Sequence, residues 1–122
     1  MKKTILTADD SASMRQMVAF TLRGAGYDVV EAGDGGEAME RIQEQPPHLV
    51  ITDLNMPNVD GIELIRRIRA HPTSKYVPIV MLTTESADPR KQEGRAAGAT
   101  GWIVKPFRPE QLVAVAKKLL PA

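Results

Sequence analysis

The sequence predicts an α/β protein in which five βα units, (βα)5, form one doubly wound, five-stranded parallel sheet with helices on both faces. Short apolar runs alternate with amphipathic stretches along the whole chain of 122 residues. Several of these runs are nearly all apolar and rich in Val and Ile, as expected for strands that are covered on both faces. Regular alternation of strand and helix implies a parallel sheet with right-handed crossovers.

The predicted strands are the five apolar runs, and glycine and proline mark several of their boundaries. The runs occupy residues 4–8, 27–32, 49–52, 78–83 and 101–104. Pro46 and Pro47 interrupt the chain before the third run. Gly98 follows the fourth predicted helix, and Pro109 lies where a first-turn proline is tolerated, just before the fifth.

The predicted helices are the stretches in which apolar residues recur at three- and four-residue steps. Residues 89–97 form the fourth of them, although their apolar stripe is weak. The other four stripes consist of Met14, Met17, Val18, Thr21, Leu22 and Ala25; Ala38, Met39 and Ile42; Ile62, Ile65 and Ile68; and Leu112, Val115, Ala116, Leu119 and Leu120.

The composition is typical of one soluble globular domain. Hydrophobic residues make up 43% of the chain and charged residues 25%, and 122 residues suit one compact core. The net charge of +1 gives no basic field for nucleic acid, and the lack of cysteine excludes disulfides and thiolate metal sites. No signal peptide and no bilayer-length apolar stretch is visible. We therefore expect a cytoplasmic protein, with a single domain over residues 1–122, no output domain, and no nucleic acid or membrane as partner.

Charged residues follow three of the predicted strands. Asp9 and Asp10 follow the first strand, Asp53 the third and Lys105 the fifth. The carboxyl ends of parallel strands share one edge, so these four residues are expected to converge. Three acids packed together repel one another and need a cation, and hard oxygen ligands without His or Cys suit Mg²⁺. This grouping predicts phosphoryl chemistry at a carboxylate.

Asp53 is the candidate nucleophile, because a carboxylate can form an aspartyl phosphate. Asp9 and Asp10 would hold Mg²⁺ directly or through water, and Lys105 would pair with Asp53 at rest and with the phosphoryl group afterwards. A hydroxyl from Thr83 or Thr84 could reach a phosphoryl oxygen.

Each of these residues also has a simpler interpretation when taken alone. An Asp pair after a strand is usually a solvated loop or a helix N-cap, and Asp53 could be a turn acid. Thr83 and Thr84 could be β-branched strand residues. The functional interpretation depends on their combination at one edge of the sheet.

Four sequence blocks carry a resemblance that covers the whole chain. They are Ala8-Asp9-Asp10-Ser11, Asp53-Leu54-Asn55-Met56-Pro57-Asn58-Val59-Asp60-Gly61, Met81-Leu82-Thr83-Thr84-Glu85 and Lys105-Pro106-Phe107. In this order they resemble a receiver domain of two-component signalling, with its flavodoxin-like fold, and in particular a stand-alone chemotaxis response regulator of the CheY type.

The resemblance implies a role for each residue of the predicted site. It implies that Asp53 accepts a phosphoryl group from a CheA-like histidine kinase. Mg²⁺ would be bound by Asp10, Asp53 and the backbone carbonyl of Asn55, with Asp9 helping through water. Thr83, rather than Thr84, would be the switch hydroxyl, and Lys105 would sense the phosphoryl charge.

The resemblance also implies how the signal leaves the site. An aromatic side chain on the fifth strand would swing inward behind the switch hydroxyl; here it is Trp102, where the family usually has Tyr or Phe. Asn55 and Glu85 would flank the attacking water and set the phosphoryl lifetime, as in fast chemotaxis proteins, although both could be plain exposed polar residues. The protein would assist its own phosphorylation and dephosphorylation without being an enzyme.

The fourth helix, fifth strand and fifth helix would form the surface that binds a downstream partner. That partner could be the flagellar motor switch or another chemosensory target, a phosphatase could act on the protein, or the protein could serve as a phosphate sink or phosphorelay intermediate. The candidate residues of this partner face are Arg90, Lys91, Arg95, Trp102, Lys105, Val113 and Lys117.

Three other functions fit the sequence less well. An unphosphorylated interaction module would have no use for Asp9, Asp10, Asp53 and Lys105 together. A flavin-binding protein of this topology would need a Ser/Thr/Gly-rich phosphate loop after the first strand, whereas this loop is acidic. A phosphatase with an Asp nucleophile would place that acid after the first strand and would need a cap or a longer chain.

Overall fold

The computed structural model describes residues 2–56, 59–84 and 89–120. Within these ranges, strands and helices alternate. The strands are β1 (Thr4–Ala8), β2 (Asp28–Ala32), β3 (Leu49–Asp53), β4 (Ile79–Thr83) and β5 (Gly101–Val104). The helices are α1 (Ala12–Gly24), α2 (Gly35–Glu44), α3 (Gly61–Ala70), α4 (Pro89–Ala97) and α5 (Pro109–Leu119).

The strands form one sheet in the order β2-β1-β3-β4-β5, and every neighbouring pair is parallel. This is the flavodoxin-like order, in which the strand order reverses between β1 and β3. The predicted (βα)5 doubly wound parallel sheet is confirmed. Ligands of such sheets bind at the carboxyl ends of the strands beside the reversal, so β1 and β3 mark the expected site.

Successive residues of the strands point to opposite faces of the sheet and divide the core in two. On one face, Leu6, Val50 and Met81 pack with buried residues of α2 and α3. On the other face, Ile5 and Ile51 pack with buried residues of α1 and α5. Because helices cover both faces of the sheet, the central strands are apolar along nearly their whole length.

The predicted strand boundaries differ from the observed ones by one residue in three places. Tyr27 lies outside β2 because its amide donates to the Leu22 carbonyl (3.2 Å) and closes the end of α1. Pro78 lies outside β4 and has no N–H to donate to the sheet. Asp53 lies inside β3, in register with Leu82, so the candidate nucleophile is the last residue of the strand itself.

Short polar side chains begin the first three helices. Ser11, Asp34 and Asp60 each accept a hydrogen bond from the backbone amide three residues later, which satisfies one of the free donors of the first turn. Within the described ranges, no helix combines the length and the apolar character needed to cross a membrane.

Candidate functional site

The loop after β1 holds Asp9 by both its backbone and its side chain. The Asp9 amide donates to the Ala32 carbonyl at the end of β2 (3.1 Å), and the carboxylate atom Oδ1 accepts from the Ser11 amide (2.9 Å). Asp9 is only 1% exposed. Asp10, the next residue, is exposed. Of these two neighbouring acids, Asp9 is therefore buried and Asp10 lies at the surface.

Asp53 ends β3 with its carboxylate facing the same edge of the sheet. The residue is 8% exposed, and Oδ1 accepts from the Leu54 amide and from Lys105 Nζ, each at 3.0 Å. Gly61 is needed behind it, because a Cβ there would lie 3.0 Å from Leu54 Cα and would also press on the Asp53 carbonyl oxygen. The start of α3 can therefore pack directly against the backbone of the candidate nucleophile.

Asp9, Asp10 and Asp53 form the acidic cluster that the sequence predicts. Each contributes one carboxylate oxygen to a group whose members lie within 4.8 Å of one another. Lys105 Nζ lies 3.8 Å from Asp9 Oδ2, too far for a hydrogen bond, and the buried Oδ2 has no hydrogen-bond partner among the described residues. Three carboxylates and one unsatisfied buried oxygen fit a hard divalent cation such as Mg²⁺.

Electrostatics at Asp9 agree with this fit. Burial raises the pKa of the Asp9 carboxyl, while the hydrogen bond from the Ser11 amide acts to lower that pKa. The negative charge of Asp53 raises the pKa further, the positive charge of Lys105 lowers it, and the charge of Asp10 makes a smaller upward contribution. The ionised form of Asp9 is thus poorly stabilised by the protein alone, and a cation would stabilise it.

Two neighbouring strands bring Thr83 and Lys105 to the cluster. The Lys105 amide donates to the Thr83 carbonyl (2.7 Å), directly after the β4–β5 pairing. Thr83 is 3% exposed, whereas Thr84 points away from the core and is exposed. Thr83 is therefore a buried residue next to the site in the sheet, and the role of its hydroxyl as the switch stays a prediction.

The predicted Asn55–Glu85 pair is only half described. Asn55 is exposed and lies two residues beyond Asp53. Glu85 lies outside the described residues, as do Pro57 and Asn58 of the second sequence block. The influence of this pair on phosphoryl lifetime stays a prediction.

On the predicted partner face, two cations of α4 cover Trp102. Lys91 Nζ lies 4.1 Å and the Arg95 guanidinium 4.8 Å from the centre of the indole ring, which is half-buried against the core. Arg90 is turned toward α3, because its Nη2 atom lies 3.1 Å from Asp60 Oδ2. Val113 and Lys117, also predicted for this face, line a separate open cavity of about 460 Å³ on α5 together with Pro109, Glu110 and Ala114.

Sequence reasoning missed one cation beside the acidic cluster. Arg15 Nη1 donates to the backbone carbonyl of Asp9 at 2.8 Å, and Arg15 Nε lies 3.3 Å from Glu31 Oε1 on β2. An arginine in a helix and a glutamate in a strand form no recognisable motif, so no local signal could have identified this contact.

Comparisons with known proteins agree with the observed fold. The response regulator receiver domain family matches residues 5–117. The phosphate regulon transcriptional regulatory protein PhoB of Pseudomonas aeruginosa is 40% identical over 118 residues, which is 97% of this chain and 52% of PhoB. The chain thus spans about half the length of PhoB, as it does of several other curated relatives.

Two chemotaxis proteins match over most of their length. Chemotaxis protein CheY1 of Helicobacter pylori is 40% identical over 110 residues, covering 88% of this chain and 89% of CheY1. The structure of the chemotaxis response regulator CheY4 of Vibrio cholerae has a TM-score of 0.94 and 46% sequence identity, covering 98% of this chain and all of that one. The chain therefore belongs to the family of response regulator receiver domains of two-component systems.

Proposed function

We propose that this protein accepts a phosphoryl group on Asp53 from a CheA-like histidine kinase, in a step that requires Mg²⁺. The observation that carries the proposal is the convergence of Asp9, Asp10 and Asp53 within 4.8 Å, with Lys105 Nζ 3.0 Å from Asp53 Oδ1. Neither a solvated loop nor a structural ion pair would require three clustered carboxylates, two of which face one lysine.

The chemistry of the step follows from the positions of these groups. A carboxylate oxygen of Asp53 attacks the phosphorus of the kinase phosphohistidine, forming a P–O bond as the P–N bond breaks and the imidazole takes a proton. Mg²⁺, held by Asp10, Asp53 and the Asn55 carbonyl with Asp9 through water, would neutralise charge on the phosphoryl oxygens. The Lys105 ammonium, which already contacts the Asp53 carboxylate, would then pair with the negative charge of the phosphoryl group.

The proposed output is a change in the α4-β5-α5 face that alters its affinity for a partner in chemotaxis, with the flagellar motor switch as the proposed target. The likeness to CheY1 and CheY4 supports this choice of output. Thr83 would move toward the phosphoryl group and Trp102 would follow it, while Asn55 and Glu85 set the phosphoryl lifetime. The protein would act in the cytoplasm, with a phosphatase as a further partner.

The first experiment is intact mass spectrometry after incubation with a small-molecule phosphodonor, with and without Mg²⁺. We expect one phosphoryl adduct that requires Mg²⁺ and that is lost in Asp53→Asn. Asp28→Asn is the matched control, because this exposed aspartate begins β2 at the opposite end of the sheet. An adduct that persists in Asp53→Asn would contradict the assignment, and the absence of any adduct would favour an unphosphorylated interaction module.

The chemotaxis output needs a separate test in the native host. A strain lacking the gene should lose chemotactic spreading in soft agar, and wild-type protein but not Asp53→Asn should restore it. Normal spreading in the deletion strain would reject the motor output, while the phosphoacceptor chemistry would stand on the mass measurement. Altered phosphate flow to other regulators, with motility unchanged, would identify a phosphate sink.

A further inference from the structure

Arg15 connects the acidic loop to the neighbouring strand through two atoms of its guanidinium group. From α1, Nη1 donates to the Asp9 carbonyl (2.8 Å) and Nε contacts Glu31 on β2 (3.3 Å). The Arg15 side chain is 21% exposed, so both contacts are largely shielded from water. The planar guanidinium fork holds two partners at a fixed angle, which a lysine cannot do.

The Asp9 carbonyl belongs to the peptide group that leads into Asp10. The Asp10 carboxylate makes no hydrogen bond to any residue in the described ranges, and the residue is exposed. Its position is therefore set by the backbone that precedes it. The Asp9 amide and side chain are bound to Ala32 and Ser11, and Arg15 holds the remaining polar group of this residue's backbone.

We propose that Arg15 is a positioning residue for the metal, which fixes the Asp9–Asp10 peptide so that the Asp10 carboxylate faces Asp53. The proposal rests on the proposed function in that these acids bind Mg²⁺. Glu31 balances the charge of Arg15 and orients it, whereas the cation that contacts the carboxylates is Lys105. Arg15 thus acts on the backbone of the site and does not compete with the metal for the acids.

Calorimetric titration of the unphosphorylated protein with Mg²⁺ tests the proposal directly. In Arg15→Met we expect the Kd for Mg²⁺ to rise about tenfold, the lower end of the effect of losing a contact that orients a metal ligand. Arg23→Met is the matched control, because Arg23 also contacts Glu31 (3.5 Å) and a backbone carbonyl, that of Val29 (3.0 Å), but not the acidic loop. Its Kd should equal that of the wild type.

Two further readouts separate positioning from general structural support. In Mg²⁺-free protein, the amide resonance of Asp10 should shift in Arg15→Met and stay in place in Arg23→Met. With a phosphodonor, the Mg²⁺ concentration for half-maximal adduct formation should rise about tenfold in Arg15→Met, while the maximal rate at saturating Mg²⁺ changes little. If Arg15→Met does not fold, Arg15→Lys replaces it, with a Kd about threefold above that of the wild type.

Each remaining outcome overturns the inference. An unchanged Kd in Arg15→Met, or in Arg15→Lys where it is the variant used, would reject positioning by Arg15. Equal weakening in Arg15→Met and Arg23→Met would assign the effect to Glu31 or to the α1–β2 packing. Wild-type protein that binds no Mg²⁺ would reject the proposed function as well, whereas normal wild-type binding with an unaffected Arg15 variant rejects this inference alone.

Discussion

Helices α3 and α4 pack against each other on the same side of the sheet, but they are attached by different kinds of contact. Helix α3 buries an almost continuous apolar stripe that includes Ile62, Ile65 and Ile68. In α4, by contrast, Gly94 is the buried residue among the described positions 90–97. A Cβ at Gly94 would lie 2.9 Å from Met81 Sδ, so the backbone of α4 rests directly on a core side chain.

Polar contacts also connect α4 and the residues just beyond it to α3. Arg90 pairs with Asp60 at 3.1 Å, and Arg66 of α3 pairs with Glu93 at 3.5 Å. Arg69 of α3 donates two hydrogen bonds to the Gly98 carbonyl just beyond α4. Exposed ion pairs contribute little stability. Displacing α4 would therefore break weak polar contacts and uncover Met81, whereas displacing α3 would expose its whole apolar stripe. We therefore expect α4 to be displaced more easily than α3.

The largest effect is expected from truncating a core residue of α3. Ile65 is fully buried, and Ile65→Ala should lower the free energy of unfolding by about 3 kcal/mol, because it loses buried apolar surface and leaves a cavity. Gln92→Ala, at an exposed position of α4, should change it by less than about 0.5 kcal/mol. Urea unfolding measures both, and similar losses in the two variants would remove the contrast between the helices.

The next effect concerns the arginine that joins the two helices. Besides Gly98, the Arg69 guanidinium donates to the carbonyls of Val77 (2.6 Å) and Lys75 (3.1 Å), and burial lowers its pKa. Arg69→Met should cost about 2 kcal/mol, since hydrogen bonds from a charged donor are lost.

The location of that loss is as informative as its size. Hydrogen exchange should accelerate most in the last turn of α4 when Arg69 is replaced. Arg67→Met is the control, because this exposed side chain of α3 pairs only with Glu63 among the described residues and should cost less than about 0.5 kcal/mol. Unchanged exchange in α4 of Arg69→Met would show that this arginine supports α3 alone.

A smaller effect is expected from adding one methyl group to α4. Gly94→Ala should gain helix propensity but force Met81 or the helix to move, for a net loss of about 1 kcal/mol. Gly24→Ala, at the end of α1, is the matched control, because no atom lies within 4 Å of the Cβ that alanine would add. This substitution should leave the stability unchanged or increase it. Thermal unfolding compares them; equal gains in both would mean that Met81 does not limit the approach of α4.

The smallest effect is a difference in salt sensitivity between the helices. Raising NaCl from about 0.05 M to about 1 M should screen the ion pairs of α4 and lower its local opening free energy by roughly 0.5 kcal/mol relative to α3. Native-state hydrogen exchange at the two concentrations measures this difference. Parallel changes in both helices would indicate that the charged contacts of α4 contribute nothing to its position.

The sequence predicts the elements well because burial on both faces leaves a local signature in each strand. The weak apolar stripe of residues 89–97 has a physical cause, since the buried position among residues 90–97 is a glycine, which no hydrophobic pattern can reveal. The convergence of Asp53 and Lys105 was predictable because parallel strands share an edge. The contacts of Arg15 and Arg69 were not predictable, because each guanidinium donates to a backbone carbonyl, that of Asp9 or Gly98, whose position is set only by the folded chain.

The stacking of two cations on Trp102 has an optical consequence. The chain contains one tryptophan, and its ring lies 4.1 Å from Lys91 Nζ and 4.8 Å from the Arg95 guanidinium, both carried by α4. Indole emission responds to the charges and water around the ring. The intrinsic fluorescence of this protein therefore reports the contact between α4 and Trp102, so that stopped-flow mixing with a phosphodonor would follow a change in that contact in real time without any attached dye.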